Sequence, residues 1–447
     1  MLMFQPAVAF QLGSGILEMF PRTVLVFIAG RVEPARSSVI LAGFGQCLVL
    51  QGILVALVVG AVTGALNTLC SKAYGGKRYH EMWMCIQAST LILLVVTPVM
   101  GTVLLFGERL LLAMGQDAEI AAIAGVLLRF QLVELPLTTA SSMLRTTLQS
   151  QNITRPQLLA TIVSWVICLP LAYLLGLTLS LGYIGIPVAL AFNPLIKFLL
   201  MLPVLRTTHE FRTTWPGWRP KEAARWVPRV MRLSLPMALM LVFQNLGFSV
   251  MSLMTGWLPS PAVMMAADSI YMSTAGLALL APNAVMSVGI VRIGNALGAG
   301  HARRAALASR VVVVVCVGML ALLPTARLYM AASTPDEDAI REAMLVFRSL
   351  LVLIPLTGFS ISLLSVFMAA GKQKLGAQLS CLLQFGVATP VSYWLGIRLD
   401  CGLVGIWIGN LVGTLAFGIV GGAWWMHVRW DALARERERR IGTWSRH

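Results

Sequence analysis

PLAYLLGLTLSLGYIGI, from Pro170 to Ile186, returns 220 positions later as PVSYWLGIRLDCGLVGI, from Pro390 to Ile406. Eight of the 17 positions are identical, among them Pro170 and Pro390, Tyr173 and Tyr393, and Gly185 and Gly405. A second echo lies upstream, where AYGGKR (Ala73 to Arg78) faces ALGAGH (Ala296 to His301) at a spacing of 223. Both echoes sit at the edges of long apolar runs. A repeat of this length predicts two structurally equivalent halves. Duplicated bundles of membrane helices are the architecture of many secondary transporters, whose substrate path lies where the halves meet.

Composition points to the membrane independently. Hydrophobic residues form 58% of the 447-residue chain and charged residues 12%, against about 25% charged in soluble domains. Apolar runs long enough to cross about 30 Å of hydrocarbon recur throughout. Hydropathy predicts twelve spans, at 3–29, 39–66, 82–106, 120–147, 157–177, 184–205, 233–257, 264–291, 304–329, 340–370, 375–396 and 403–427. The expected fold is therefore an all-α polytopic membrane protein, with about twelve transmembrane helices in two six-helix lobes. The lobes cover 1–205 and 233–427, joined by a polar linker at 206–232 and followed by a basic tail at 428–447. Six helices per half give the two repeats the same orientation. The first apolar run continues to about Gly30, which predicts a span and not a cleaved signal.

Charge sets the expected topology. Loops after even-numbered spans carry Lys72, Lys77, Arg78, Arg155, Arg303 and Arg304, and the tail is rich in arginine. Loops after odd spans hold fewer cations, several beside acids such as Glu108 and Asp336. The excess of Lys and Arg places both termini and the linker in the cytoplasm. The net charge of +16 then reads as attraction to anionic lipid headgroups, not to nucleic acid, since no basic domain stands apart from the helices. Seven scattered cysteines with no CxxC pair predict neither a disulfide framework nor a zinc site. No cofactor motif, phosphate loop or nucleophile elbow is present, so an enzyme is not expected.

Five ordered segments resemble the multidrug and toxic compound extrusion (MATE) family, in its eukaryotic branch. LNTLCSKAYGGKR (Leu66 to Arg78) is similar to the family element LDTLCGQAYGA, and SVGIVRIGNALGAG (Ser287 to Gly300) to SVRVSNELGAG. LSLPMALMLVFQNLGFSVMSLMTGWLPSP (Leu233 to Pro261) resembles the seventh helix. MAAGKQKLGAQ (Met368 to Gln378) and GLVGIWIG (Gly402 to Gly409) match elements around helices 10 to 12. The resemblance implies export of organic solutes, organic cations or drug-like compounds, by alternating access, with protons as the coupling ion. It implies a monomer in a plasma membrane or a vacuole-type membrane. Acids of the family pattern are replaced: Gln244 and Ser249 on helix 7, Thr357 on helix 10 and Asn67 in the first element. Amides and hydroxyls do not titrate near neutral pH, so coupling has to use other groups.

Three acids remain inside the spans. Glu18 lies four residues before Arg22 and is expected to pair with it. Glu134 precedes Pro136, where a proline frees a helix carbonyl, and has Arg129 five residues before it. Asp268 sits near the start of helix 8. An acid in hydrocarbon costs several kcal/mol unless paired or hydrated, which makes each a coupling candidate. Gln244, Asn245, Tyr271 and Thr357 are the expected lining of the substrate cavity; Ser273 and Thr274 read as helix-packing polar groups. Lys197, Arg232 and Arg310 are long enough to snorkel. Two other readings stay open at this stage: a flippase for lipid-linked precursors, which would want a cationic cavity, and a scaffold that has lost transport.

Overall fold

The computed structural model describes residues 8–18, 28, 37–113, 117–179, 181–318, 341–342, 344–346 and 353–435. Among these residues every regular element is helical. Residues 8–18 form α1. A long rod follows, made of α2 (Ser37–Val55), a π-helical turn (Ala56–Gly60) and α3 (Ala61–Gly75). Then come α4 (Tyr79–Leu105), α5 (Gly107–Ala113), α6 (Ala118–Ser150), α7 (Arg155–Tyr173) and α8 (Gly185–Thr207). The short α9 (His209–Thr214) leads to α10 (Pro220–Thr255). Beyond it lie α11 (Pro261–Ala278), α12 (Leu280–Gly298), α13 (Ala302–Gly318), α14 (Leu353–Ala370), α15 (Gln373–Leu383), α16 (Thr389–Tyr393) and α17 (Gly402–His427). Seven of the described helices are long and apolar enough to cross a membrane by length and composition. The expected span 264–291 is broken at Leu279, between α11 and α12. Most of the ninth span beyond Gly318 and the start of the tenth lie outside the described residues.

Two compact units divide the chain, Leu2–Ser234 and Leu235–His447. The first is built on two apolar clusters, one around Leu66, Met82, Trp83 and Leu148, the other around Leu104, Leu127 and Trp165. The second centres on Met251, Tyr271, Ile406 and Trp407.

The echo in the sequence is an echo of backbone geometry. Asn152 and Gly371 both take left-handed conformations, at φ 62° and 78°, as do Gly182 and Gly402, at 65° and 61°. Each unit also carries a π-helical turn at the same place, Leu174–Thr178 in the first and Trp394–Arg398 in the second. The closing hydrogen bonds match, Leu181 N to Leu175 O at 3.2 Å and Cys401 N to Leu395 O at 3.1 Å. A further π turn, Gln384–Ala388, exists in the second unit, while its counterpart in α7 is plain α-helix. A π turn accommodates one extra residue. That explains why the repeat offset grows from 219 at Asn152 and Gly371 to 220 at Pro170 and Pro390.

The segment expected as a linker is folded onto the first unit. Trp83, buried at the start of α4, donates its indole N–H to Thr214 Oγ1 at 2.9 Å and meets Phe211 and Trp215 edge-on. Gln87 clasps the backbone from both sides, donating to Gly217 O at 2.8 Å and accepting from Arg219 N at 2.7 Å. Glu81 binds both Arg78 and Arg229, and His80 meets Glu222 at 2.7 Å. Tyr74 donates to Glu210 at 3.2 Å. Burial, followed by that carboxylate, pushes the Tyr74 phenol up to about 12. These partners also explain why α10 starts at Pro220 and not near Leu233: its charged first turns are satisfied by α4.

Candidate functional site

The three acids singled out from the sequence sit in three different settings. Glu18 accepts from Lys197 Nζ, an ion pair between α1 and α8. The ammonium also lies 5.8 Å from the centre of the Trp165 ring. The pairing expected with Arg22 falls outside the described residues. Glu134, half-buried on α6, accepts from Gln51 Nε2 of α2 at 3.5 Å. Gln51 also lines a cavity of about 10 Å³, together with Leu54, Val55, Leu104, Gln131, Leu135 and Thr138. That is room for about one water. Gln131 donates to Cys47 Sγ at 3.2 Å, and its buried Oε1 has no hydrogen-bond partner.

Asp268 lies in the interior of the second unit. Its Oδ1 accepts from Trp407 Nε1 at 3.0 Å, and the Ser252 hydroxyl is a further donor. The carboxylate therefore ties α10, α11 and α17 together. Tyr271, 4% exposed, packs on the Trp407 ring with centroids 4.6 Å apart. Phe248 approaches the same indole at 6.3 Å. The structure thus brings Asp268 and Tyr271 together around one tryptophan. Thr357 is half-buried on α14. Gln244 and Asn245 are within α10, but their side chains, like those of Ser273 and Thr274, lie outside the described residues.

A polar seam in the first unit was not singled out from the sequence. Gln149 Nε2 donates to Gln11 Oε1 at 2.9 Å and to Gln157 Oε1 at 2.6 Å. Gln157 Nε2 donates to Ser14 Oγ at 3.2 Å, and Ser14 lies 3.4 Å from the Thr161 hydroxyl. One turn further along α7, Ser164 accepts from Asn193 Nδ2 at 3.2 Å. Four helices contribute, each with polar residues at helical spacing: Gln11, Ser14 and Glu18; Arg145 and Gln149; Gln157, Thr161 and Ser164; Asn193 and Lys197. Spacings of three and four residues put them on one face of each helix. Polar stripes on apolar helices were the available signal.

With this geometry in hand, comparison with known proteins settles the family. The MatE family model matches residues 12–174 and 236–394, one stretch in each unit. The chain belongs to the MATE family of membrane transporters. Among its relatives, Protein DETOXIFICATION 36 of Arabidopsis thaliana is 27% identical over 387 residues, covering 85% of this chain and 76% of the relative. Multidrug and toxin extrusion protein 2 of Mus musculus is 27% identical over 392 residues, 85% of this chain and 67% of that protein. The eukaryotic MATE transporter AtDTX14 superposes with a TM-score of 0.87 at 20% identity, over 98% of this chain and 99% of that one. A mutant form of the Vibrio cholerae MATE transporter VcmN gives 0.85 at 17% identity, over 96% and 98%. The all-α architecture read from the sequence is the MATE fold, whose members have twelve transmembrane helices in two lobes. Of the family's replaced acids, Asn67 is buried in α3 with its amide oxygen unpartnered.

Proposed function

We propose that this MATE transporter exports organic solutes, drug-like compounds among them, by alternating access of its two lobes, driven by protons entering through Glu134. The observation that carries the coupling reading is the contrast among the three acids. Glu18 is tied to a lysine partner. Glu134 meets the neutral amide of Gln51, which itself lines space for about one water. Proton coupling requires a group whose proton affinity differs between the two states, because equal affinity in both shifts nothing. A carboxyl whose surroundings alternate between wet and dry meets that requirement, and a fixed ion pair does not. Asp268, held by a tryptophan and a serine, is the second such group.

Substrate would be met by the cavity residues expected from the resemblance, Gln244, Asn245, Tyr271 and Thr357. Organic cations are the family expectation, but the acids that would attract them are amides or hydroxyls here. The transporter acts as a monomer with both termini in the cytoplasm, in a plasma or vacuole-type membrane, with anionic lipids at its basic surfaces. The test is uptake of a fluorescent organic solute into proteoliposomes under an imposed pH gradient. Wild type should accumulate it and Glu134→Gln should lose most of the gradient-driven component. Undiminished accumulation by Glu134→Gln would remove Glu134 as the coupling site.

A further inference from the structure

Two helix distortions flank the cavity that Gln51 lines. On α2 the lining residues Gln51, Leu54 and Val55 come just before the π turn Ala56–Gly60. On α6 the lining residues Gln131, Leu135 and Thr138 bracket Pro136. Proline has no N–H, so the Leu132 carbonyl one turn earlier lacks its α-helical donor. Neither backbone runs straight here, which leaves a gap between them that side chains do not fill. The gap is polar as well as roomy. Its volume of about 10 Å³ is at the lower bound for one water, which also needs roughly two to four polar partners. Three lining side chains can supply them: the Gln131 carbonyl oxygen, buried and without a hydrogen-bond partner, the Gln51 carbonyl oxygen, and the Thr138 hydroxyl. Gln131 Nε2 is already committed to Cys47 Sγ at 3.2 Å, and a buried amide oxygen left unmet is costly.

Gln51 links the cavity to the acid, since its Nε2 donates to Glu134 Oε1 at 3.5 Å. A bond that long is weak, and a partner on the other end of the amide decides which way the amide points. We infer that the cavity is a one-water site, and that Gln131 and Thr138 hold its water so that Gln51 presents its N–H to Glu134. Both are positioning residues for the acid, acting through Gln51. A donor aimed at a carboxylate favours its charged form, and a water on the amide oxygen polarises the amide that donates. The inference rests on the coupling reading of Glu134 and adds how its proton affinity is set. Ionisable groups around Glu134 are few. Cys47 of α2 and Cys168 of α7 lie within electrostatic range of it. Lys197 of α8 is in range of Cys168 and is hydrogen-bonded to Glu18 of α1. Arg129, five residues before Glu134, is engaged by Glu108 of α5, and Arg109 stands over the Phe106 ring. No ionisable residue occurs in α4 from Ile86 to Leu105, or in α3 before Cys70.

Infrared difference spectroscopy on the full-length protein in lipid titrates Glu134 without any transport step, with Glu134→Gln assigning the carboxyl band. Gln131→Leu keeps the size of the side chain and removes the water's acceptor; Thr138→Val removes the hydroxyl. Each should move the Glu134 midpoint to higher pH by roughly half to one unit, the worth of one hydrogen bond. Thr138→Ser should restore the wild-type midpoint. Gln51→Leu, which removes the donor itself, should move it at least as far and make Gln131→Leu silent in that background. Radiolytic labelling in heavy-oxygen water reads the water directly: label should enter Leu54 or Leu135 in wild type and fall several-fold in Gln131→Leu. Either variant alone carries the test if the other fails to fold. A midpoint that stays at the wild-type value in Gln131→Leu and Thr138→Val, or unlabelled cavity leucines in wild type, would overturn the water site. Shifted midpoints together with gradient-driven uptake that survives Glu134→Gln would leave the water site standing and remove the coupling reading.

Discussion

A methyl group at Gly405 or Gly185 tests whether the repeated backbone geometry holds each lobe together. At Gly185 an added Cβ would lie 2.6 Å from Leu175 C, 2.7 Å from Gly176 N and 2.8 Å from Leu175 O. At Gly405 it would lie 2.7 Å from Cys401 Cβ, 2.8 Å from Leu395 C and 2.9 Å from Gly396 Cα. Most of these atoms are backbone of the preceding π turn, so no rotamer change relieves the overlap. Overpacking of this kind costs about 1–3 kcal/mol. Alanine recovers at most about 1 kcal/mol over glycine within a helix, and less at a helix start, where both glycines sit. A net loss of about 2 kcal/mol is expected at each position. Gly386→Ala is the control, because its Cβ would meet Leu382 Cδ1 at an ordinary 3.6 Å. The assay is the fraction of monodisperse protein surviving a temperature series in detergent, read by size exclusion. Gly185→Ala and Gly405→Ala melting with wild type, while Gly386→Ala melts lower, would refute the reasoning.

Two further outcomes follow from single contacts. Trp407→Phe keeps an aromatic ring against Tyr271 but removes the N–H that meets Asp268; it should cost about 1.5–3 kcal/mol, the range for a hydrogen bond to a charged group. In an Asp268→Asn background the same change should cost clearly less, and an equal cost there would show that the indole–carboxylate bond is not where the energy lies. Glu222 is held below its ordinary value of 4.5 by the hydrogen bond with His80 and then by Arg219, with desolvation opposing. A lowered folded value contributes stability above pH 4.5 that is lost as pH falls through that lowered value. Wild type should thus exceed Glu222→Gln slightly at about pH 7, and the difference should shrink as pH falls below 4.5 through the lowered value; a constant gap at all pH values would contradict it.

Much of the architecture was legible because it is written locally. Span boundaries at 184–205 and 403–427 fall within a few residues of α8 and α17, since hydropathy and the flanking glycines act over one or two turns. The start of α10 was not legible: KEAARWVPR looks like a solvated linker until Glu81 and His80 of a distant helix neutralise it. Long-range partners were not legible for the same reason. Helical spacing points Glu18 only to neighbours on its own helix, and Lys197, which it meets, is 179 residues away. Asp268 and Trp407 are 139 apart, and only the fold makes them neighbours. The acids themselves were found because an ionisable group in an apolar run is conspicuous. Amides and hydroxyls of the seam were not, because one polar residue per turn barely alters hydropathy.

Where the halves agree and where they differ separates frame from chemistry. Agreement is concentrated at positions whose backbones touch: the left-handed turns, the π turns and the glycines against them. The seam has no such counterpart. With the offset of 219 before the extra π residue, Gln157, Thr161 and Ser164 correspond to Gly376, Ser380 and Leu383. With the offset of 220 after it, Asn193 and Lys197 correspond to Gly413 and Phe417. In the second unit that space is closed by direct packing: a Cβ on Gly413 would sit 2.4 Å from Ala388 Cβ, and Phe417 meets Phe367 at 6.3 Å. Amides and charges in the first unit thus stand where the second has small and aromatic side chains. Among the described residues, the polarity of the seam thus belongs to the first unit and not to the repeated frame.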